Sequence, residues 1–398
     1  MNGIATAPSE RPEPPTQLQR TLGVLLRVAL VLLLLYFFLV AIQMMGGSIK
    51  MMGKDASEGL FAGVNNPFAG LAVGILATVL VQSSSTTTST IVALVGGGSL
   101  TVEQAVPMIM GANIGTTITN TLVSIGHIRK SMSFRRAFAA ATVHDFFNLL
   151  CVIVLLPLEI AFGFLAHSAE WLTSLILGAP GAESAAHGGV HYDSPIKVAV
   201  KTAFKALQGL LQDFGFEGTS LAVAILVIGI ALTFTCLILI TKNMRTLVSG
   251  PLEHALNRSL GKSGLIGIVI GILVTAAVQS SSITTSLLVP LCAAGILSLE
   301  NAFPIMLGAN IGTTITAMLA SLGTDERGGL TIALVHLCFN LCGVLLFYPI
   351  KRLRRIPIQA ARFLANKASE NPFWVLGYVA GVFIVMPLLG WWAFGKLQ

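Results

Sequence analysis

Charged residues are scarce in this chain. Asp, Glu, Lys and Arg make up 10% of its 398 residues, against roughly 25% in soluble domains. Hydrophobic residues make up 54%, and the mean hydropathy is +0.83. That balance excludes soluble enzymes, nucleic-acid modules and fibrous proteins and identifies a polytopic membrane protein. The net charge of +7 is a topology signal, because the basic residues cluster between apolar runs. Cysteine is also scarce. Cys151, Cys236, Cys292, Cys338 and Cys342 all lie inside apolar runs, which excludes a disulfide framework and leaves them as small packing residues. A metal site would need partner ligands that are not nearby.

Long apolar runs are what the sequence has. Residues 1–21 read as a polar, Pro-rich cytoplasmic tail, and 22–58 as a first transmembrane helix with a short external loop. That apolar run is too long for a signal-peptide core, and no small-residue cleavage site follows it. Further runs lie near 67–98, 104–125, 137–165, 219–241, 264–297, 302–322, 329–349 and 372–394. The segments 126–136, 242–262 and 350–371 are rich in Arg and Lys, whereas 166–218 and 323–328 carry more acids than bases. An excess of Lys and Arg marks the cytoplasmic side, so the N-terminus is expected inside.

Sliding residues 70–126 over 267–323, a shift of 197 without gaps, gives 32 identities in 57 positions. At a shift of 192, His144, Asn148 and Pro157 recur as His336, Asn340 and Pro349. The charge pattern sends the two copies through the bilayer in opposite directions. The organisation expected is repeat 1 at 59–165, an external inter-repeat loop at 166–218, and a linking helix with a cytoplasmic loop at 219–262. Repeat 2 follows at 263–371, then a final transmembrane helix and tail at 372–398. Inverted repeats of this kind build secondary transporters, whose substrate sites lie at the repeat interface near the midplane.

Three polar motifs interrupt the runs. The first is Gln82-Ser83-Ser84-Ser85 followed by Thr87 and Thr88, mirrored by Gln279-Ser280-Ser281-Ser282 with Thr284 and Thr285. The arm before Gln82 is 15 residues, roughly 22 Å at 1.5 Å per residue and too short to cross a ~30 Å core. A re-entrant hairpin with its polar tip near the midplane is the economical solution. The second motif sets Gly111, Asn113, Gly115 and Thr116 in one repeat and Gly308, Asn310, Gly312 and Thr313 in the other. Paired glycines favour a broken helix with freed carbonyls and amides, although small residues also let membrane helices pack closely. The third motif, His144-Asp145 with Asn148, puts an acid inside the bilayer, and repeat 2 keeps His336 and Asn340 but has Leu337 in place of Asp145. Intramembrane acids default to function, here gating or coupling. Helix bridging by His144 and Asn148, and pairing of Asp145 with Arg135 or Arg136, are the structural alternatives.

The only fixed charges from 59 to 126 and from 263 to 324 are Glu103 and Glu300, which read as first-turn helix acids at the membrane edge. The hairpins and broken helices therefore hold no Lys or Arg. Serine hydroxyls and freed N–H groups at a helix start favour an anion, whereas Thr and Gln oxygens with unwound carbonyls favour a hard cation such as Na⁺. A multivalent anion held there needs co-bound cations.

The QSSSTTTS and QSSSITTS segments, the two GANIGTT segments, and Phe134-Arg135-Arg136-Ala137-Phe138 leading into Ala141-Thr142-Val143-His144-Asp145 closely resemble the type II sodium–phosphate cotransporter family. The resemblance covers about residues 60–365. It implies an all-α polytopic fold of two inverted-topology repeats, each with a re-entrant hairpin and a broken helix, importing inorganic phosphate with Na⁺ as coupling ion and with no cofactor. It implicates the two QSSS segments, Gln82 to Ser85 and Gln279 to Ser282, as the phosphate and sodium site, with Thr87, Thr88, Thr284 and Thr285 as additions. Taken with the second motif, the site expected holds phosphate at Ser83, Ser84, Ser85, Ser280, Ser281 and Ser282 with Asn113 and Asn310, and Na⁺ at Gln82, Thr87, Thr88, Gln279, Thr284, Thr285, Thr116 and Thr313. Animal relatives carry a long disulfide-bonded, glycosylated loop between the halves. Residues 166–218 have neither cysteine nor an Asn-x-Ser/Thr site, which suits a bacterial cytoplasmic-membrane member. A transporter or channel for sulfate, arsenate or an organic anion is the alternative. An intramembrane serine hydrolase would need a base beside the serines, and neither hairpin contains a Lys or His.

Overall fold

The computed structural model describes residues 17–53, 62–128, 131–178, 195–259 and 264–395, and these are helical without strands. Residues 1–16 of the proposed tail 1–21 and the basic residues Arg129, Lys130 and Lys262 lie outside the described residues, and the rest of that tail, from Gln17, already belongs to the first helix. The helices are α1 (Gln17–Met52), α2 (Pro67–Val81), α3 (Ser84–Gly96), α4 (Val102–Gly115), α5 (Ile118–Ile125), α6 (Ser131–Phe162), α7 (Phe164–Leu177) and α8 (Pro195–Asp213). They continue as α9 (Gly218–Ser259), α10 (Gly264–Val278), α11 (Ser281–Ala293), α12 (Leu299–Ser321), α13 (Arg327–Phe347), α14 (Lys351–Glu370), α15 (Phe373–Ala380) and α16 (Met386–Phe394). A π-helical turn, Gly381–Val385, joins the last two into one apolar rod. Among the described residues, six helical stretches are long and apolar enough to cross a membrane, and Pro67–Val81, Gly264–Val278 and Ser281–Ala293 are shorter apolar helices.

Local sequence sets the helix starts. Asn66 accepts the Phe68 amide ahead of Pro67, which loses nothing at a first helical position. Thr101 and Gln104 form a capping box, and Ser298 caps the equivalent helix in repeat 2. The acids Glu103 and Glu300 sit in those first turns, where the helix dipole favours them.

The repeats pack through each other. Helix α3 lies against α13 as α11 lies against α6, α7 lies against α13 as α14 lies against α6, and α3 meets α12 as α11 meets α5. Within each repeat the tightest pairs are α2 with α4 and α10 with α12. Both depend on glycine. A Cβ at Gly111 would stand 2.1 Å from the Leu71 carbonyl oxygen, and one at Gly308 would stand 2.0 Å from that of Ile268.

Three expectations are corrected. The glycines of the second motif serve close packing more than breakage. Helix α4 does end at Gly115 with α5 resuming at Ile118, but α12 runs unbroken through Gly308 and Gly312. In α12, Thr313 and Thr314 donate back to the carbonyls of Ala309 (2.9 Å) and Ile311 (2.7 Å) within the continuous helix. The stretch 166–218 is also no plain loop, because it contains most of α7 and all of α8. Thr173 on α7 bonds Thr331 on α13 at 3.0 Å. Finally, the basic stretch after 241 continues α9 to Ser259 instead of forming a loop.

Charge segregates to the two ends. At one end Lys50 pairs with Glu326 at 2.7 Å, and Asp325 meets Lys201 at 3.2 Å and the Gln43 amide at 2.8 Å. Burial pushes the Asp325 carboxyl up, but Gln43, Lys201 and Lys50 outweigh it and hold it below the usual carboxylate range. A lowered folded-state value stabilises above the ordinary carboxylate pKa of about 4 and is lost as pH falls through the lower value. Asp325→Asn should therefore lower the melting temperature slightly at pH 7, and the difference from wild type should shrink progressively below about pH 4. A pH-independent difference would show that the ion pair is not its source.

Candidate functional site

Both QSSS segments break their helices in the same way. Gln82 (φ 56°) and Gln279 (φ 58°) are the only non-glycine residues with positive φ among the described residues. A left-handed non-glycine residue costs about 1–3 kcal/mol and persists only where its surroundings enforce it. Each glutamine closes off its own helix, with Gln82 Nε2 donating to the Val79 carbonyl at 2.5 Å and Gln279 Nε2 to that of Ala276 at 2.6 Å. Each Oε1 accepts a threonine hydroxyl from three residues beyond the second motif, Thr119 at 3.3 Å and Thr316 at 2.8 Å.

The next residue turns the chain into a new helix. Ser83 and Ser280 are extended N-caps whose Oγ atoms accept the amides of Thr86 and Ile283. The two breaks touch, since Ser85 Oγ donates to the Gln279 carbonyl at 3.4 Å. The N-termini of α3 and α11 thus meet at one place, each with first-turn amides that have no acceptor inside the helix. Ser84 (6% exposed) and Ser281 (3%) are buried. Together with Ser282, they make no side-chain hydrogen bond within the protein among the described residues.

The threonines bond mainly to their own helices. Thr87 and Thr284 donate to the carbonyls of Ser83 (3.1 Å) and Ser280 (3.2 Å), Thr88 to that of Ser85 (3.3 Å) and Thr285 to that of Ser281 (2.8 Å). Thr116 and Thr313 donate to Ala112 and Ala309, each at 2.9 Å. Their remaining lone pairs stay acceptors. The repeats differ in how fully hydroxyls are used. Thr275 donates to Thr284 at 2.9 Å and Ser286 to Asn120 at 2.9 Å, whereas their counterparts Thr78 and Ser89, like Thr121, are buried without a partner.

Asn113 and Asn310, expected beside the serines, instead pair with histidines of the opposite repeat. His144 Nε2 bonds Asn310 Oδ1, and His336 Nε2 lies 3.4 Å from Asn113 Oδ1. Asn148 ties both repeats together, donating to the Asn113 carbonyl at 2.8 Å and accepting from Asn310 Nδ2 at 2.9 Å. Asn340 donates to the His336 carbonyl at 3.1 Å, and its Oδ1 is unpartnered. No hydrogen bond joins this cluster to the serines among the described residues. Asp145 accepts from the Tyr378 hydroxyl at 2.7 Å instead of pairing with Arg135 or Arg136, and its other oxygen is buried without a partner.

The internal repeat places Asn113 and Asn310 at matching positions, which by itself predicts similar effects on substitution. The structure makes them unequal. Asn310→Ala strands both His144 and the Asn148 carbonyl group, at about 1–3 kcal/mol for each buried group left unsatisfied. Asn113→Ala loses one long contact and a bond to its own helix, at Ile109. Asn310→Ala should therefore lower thermal stability and transport more than Asn113→Ala; equal effects would contradict the observed wiring.

Sequence reasoning missed Thr119, Thr316, Asn120, Ser286, Thr275 and Tyr378. Asn120 had a signal, because it is the first residue where the repeats part after nine identities, with Ala317 opposite. It holds Thr285 across the repeats, donating at 2.7 Å and accepting at 3.0 Å. Tyr378 lies outside both repeats and had none.

A profile of the Na⁺/Pi-cotransporter family matches residues 37–172 and 232–363. Sodium-dependent phosphate transport protein 2A of Ovis aries is 34% identical over 451 residues, covering 96% of this chain and 70% of the relative. The 2A protein of Rattus norvegicus is also 34% identical, with 97% and 71% covered. The 2B protein of Homo sapiens is 32% identical, with 91% and 64% covered. No solved structure matches.

Proposed function

The chain belongs to the Na⁺/Pi-cotransporter family, and from that premise we propose that it imports inorganic phosphate by sodium symport at the two facing QSSS breaks. The contact between Ser85 and the Gln279 carbonyl carries the reading. It brings two helix N-termini to one point, and N-termini bind anions through their amides and dipoles. Ser84, Ser281 and Ser282 supply hydroxyls uncommitted to the protein, and the phosphate is their ligand. No fixed positive charge sits on α2–α5 or on α10–α12, so Na⁺ supplies the compensation. The partnerless hydroxyls Thr78, Ser89 and Thr121 favour a Na⁺ position on the repeat 1 side, with the second lone pairs of Gln82, Thr87 and Thr88 nearby in sequence. Gln279, Thr284 and Thr285 are the matching candidates in repeat 2. The cluster of His144, Asn148, Asn310, His336, Asn113 and Asn340, with Asp145, is the coupling element, because among the described residues it alone ties α4, α6, α12 and α13 by cross-repeat hydrogen bonds.

The repeats run in opposite directions through the bilayer, and α2–α3 and α10–α11 enter and return without crossing. Arg27 reaches Asn243 at 3.5 Å, placing the start of α1 beside the basic stretch of α9. Lys and Arg excess marks the inner side, so the N-terminus is inside, in a bacterial cytoplasmic membrane. The protein is a transporter and not a serine hydrolase. Hydrolysis needs a base in hydrogen-bond reach of the serine, and the two intramembrane histidines, His144 and His336, are held by asparagines.

Labelled phosphate uptake into proteoliposomes tests the reading. An inward Na⁺ gradient should drive accumulation that a K⁺ gradient does not, and excess sulfate should not compete. Accumulation of sulfate in place of phosphate would favour another oxyanion, and the absence of any Na⁺-driven flux would sink the proposal.

A further inference from the structure

The arginine-rich end of the molecule holds two adjoining cavities of about 550 and 490 Å³, within the range of about 300–1,000 Å³ typical of small-molecule sites. They share Glu300 and Arg362 in their walls, and these two form an ion pair of 2.7 Å. The larger is lined also by Arg354 and Arg355 of α14, the smaller by Arg135 and Arg136 of α6. Five guanidinium groups therefore surround one carboxylate, which already belongs to Arg362. Arg354 stacks over the Tyr348 ring, 5.1 Å from its centroid. Arg136 lies against Gly295, where a Cβ would stand 2.4 Å from its Nη1. None of the other four arginines has a carboxylate partner among the described residues.

The internal repeat provides a control. At the matching place on the opposite end the scaffold is kept, with Gly70, Glu103 and Pro107 in the positions of Gly267, Glu300 and Pro304. Four of the five arginines are not kept: Arg354, Arg355 and Arg362 correspond to Phe162, Gly163 and Glu170, and Arg136 corresponds to Gly328, whereas Arg135 recurs as Arg327. Helix packing at this place therefore does not require them, and an excess of unpaired guanidinium groups around a cavity remains to be accounted for. Guanidinium forks match phosphate oxygens bidentately.

We propose that these cavities between α6, α12 and α14 form a second, sodium-independent binding site for a phosphate-bearing anion, separate from the QSSS breaks. Two sources share that chemistry: free inorganic phosphate leaving the central site, and the headgroup of an anionic lipid. The site depends on the arginines and not on the central reading, so it is measured without Na⁺.

Full-length protein in phosphatidylcholine nanodiscs, in Na⁺-free low-salt buffer, would be titrated with ³²P-labelled inorganic phosphate. In parallel, protein from bilayers containing phosphatidylglycerol would be examined by native mass spectrometry for retained lipid. Arg136→Gln with Arg355→Gln should weaken whichever ligand binds by roughly tenfold or more. Arg136→Lys with Arg355→Lys should weaken it less, and Lys351→Gln, outside both cavities, should leave it unchanged. Phosphate binding lost in the Gln variant identifies free phosphate as the ligand, and lost phosphatidylglycerol retention identifies the lipid headgroup. Should the double variant not fold, Arg355→Gln alone, on an exposed position, carries the same expectation. Wild-type protein that retains neither ligand, or a Gln variant that retains it fully, would overturn the proposal.

Discussion

Gly308→Ala is expected to cut the yield of folded, monodisperse protein at least tenfold. A Cβ at that position would stand 2.0 Å from the Ile268 carbonyl oxygen, 2.8 Å from its carbon and 2.9 Å from the Ile272 nitrogen. All three are backbone atoms, so no rotamer change relieves the overlap, and α10 must move away from α12. Overpacking usually costs about 1–3 kcal/mol, more where the backbone must shift. In a bilayer the hydrophobic effect does not restore the pair, because helix association there depends on close packing. Gly111→Ala should behave alike, with the Leu71 oxygen at 2.1 Å. Gly377→Ala, with nothing within 4 Å, is the control. Size-exclusion profiles and melting curves of the three variants decide the matter, and a normal profile for Gly308→Ala would mean that the pair is looser than described.

Ser84→Ala and Ser281→Ala should each reduce phosphate uptake tenfold or more while leaving expression and melting temperature close to wild type. These residues are buried, yet their hydroxyls make no hydrogen bond within the protein among the described residues, so removing them strands no partner. A hydrogen bond to a charged group contributes about 1.5–3 kcal/mol, which corresponds to roughly tenfold to a hundredfold in affinity. Ser83→Ala and Ser280→Ala make the contrast. They remove N-caps, at about 1 kcal/mol of stability, so their effect should appear in melting temperature as well as in uptake. Normal uptake by Ser84→Ala or Ser281→Ala would remove that residue from the site.

The helical, multi-spanning fold was legible in the sequence because apolar runs and the 197-residue shift are properties of composition and order. The glutamine–serine breaks were legible for the same reason: a polar tip in the middle of an apolar run has few structural solutions. The roles of the glycines were not. Gly308 in an unbroken helix and Gly115 at a helix end carry the same motif, and only the partner surface distinguishes packing from breakage. The wiring of Asn310 to His144 joins residues 166 apart, and that of Asp145 to Tyr378 joins residues 233 apart. Neither distance leaves a trace in local pattern. Helices α7 and α8 were read as loop because their charge balance marked a side of the membrane, and charge balance says nothing of backbone conformation.

The central claim is that an anion sits where the protein offers no cation, so Na⁺ must neutralise it. Holding a dianion in that setting uncompensated would be prohibitively costly. The direct measurement is the ratio of ²²Na⁺ to ³²P-phosphate flux in the same proteoliposomes, together with the Na⁺ dependence of the rate. At least two Na⁺ per phosphate, with a Hill coefficient above one and faster uptake as dianion replaces monoanion, is the predicted result. A 1:1 flux ratio with hyperbolic dependence on Na⁺ would contradict the account.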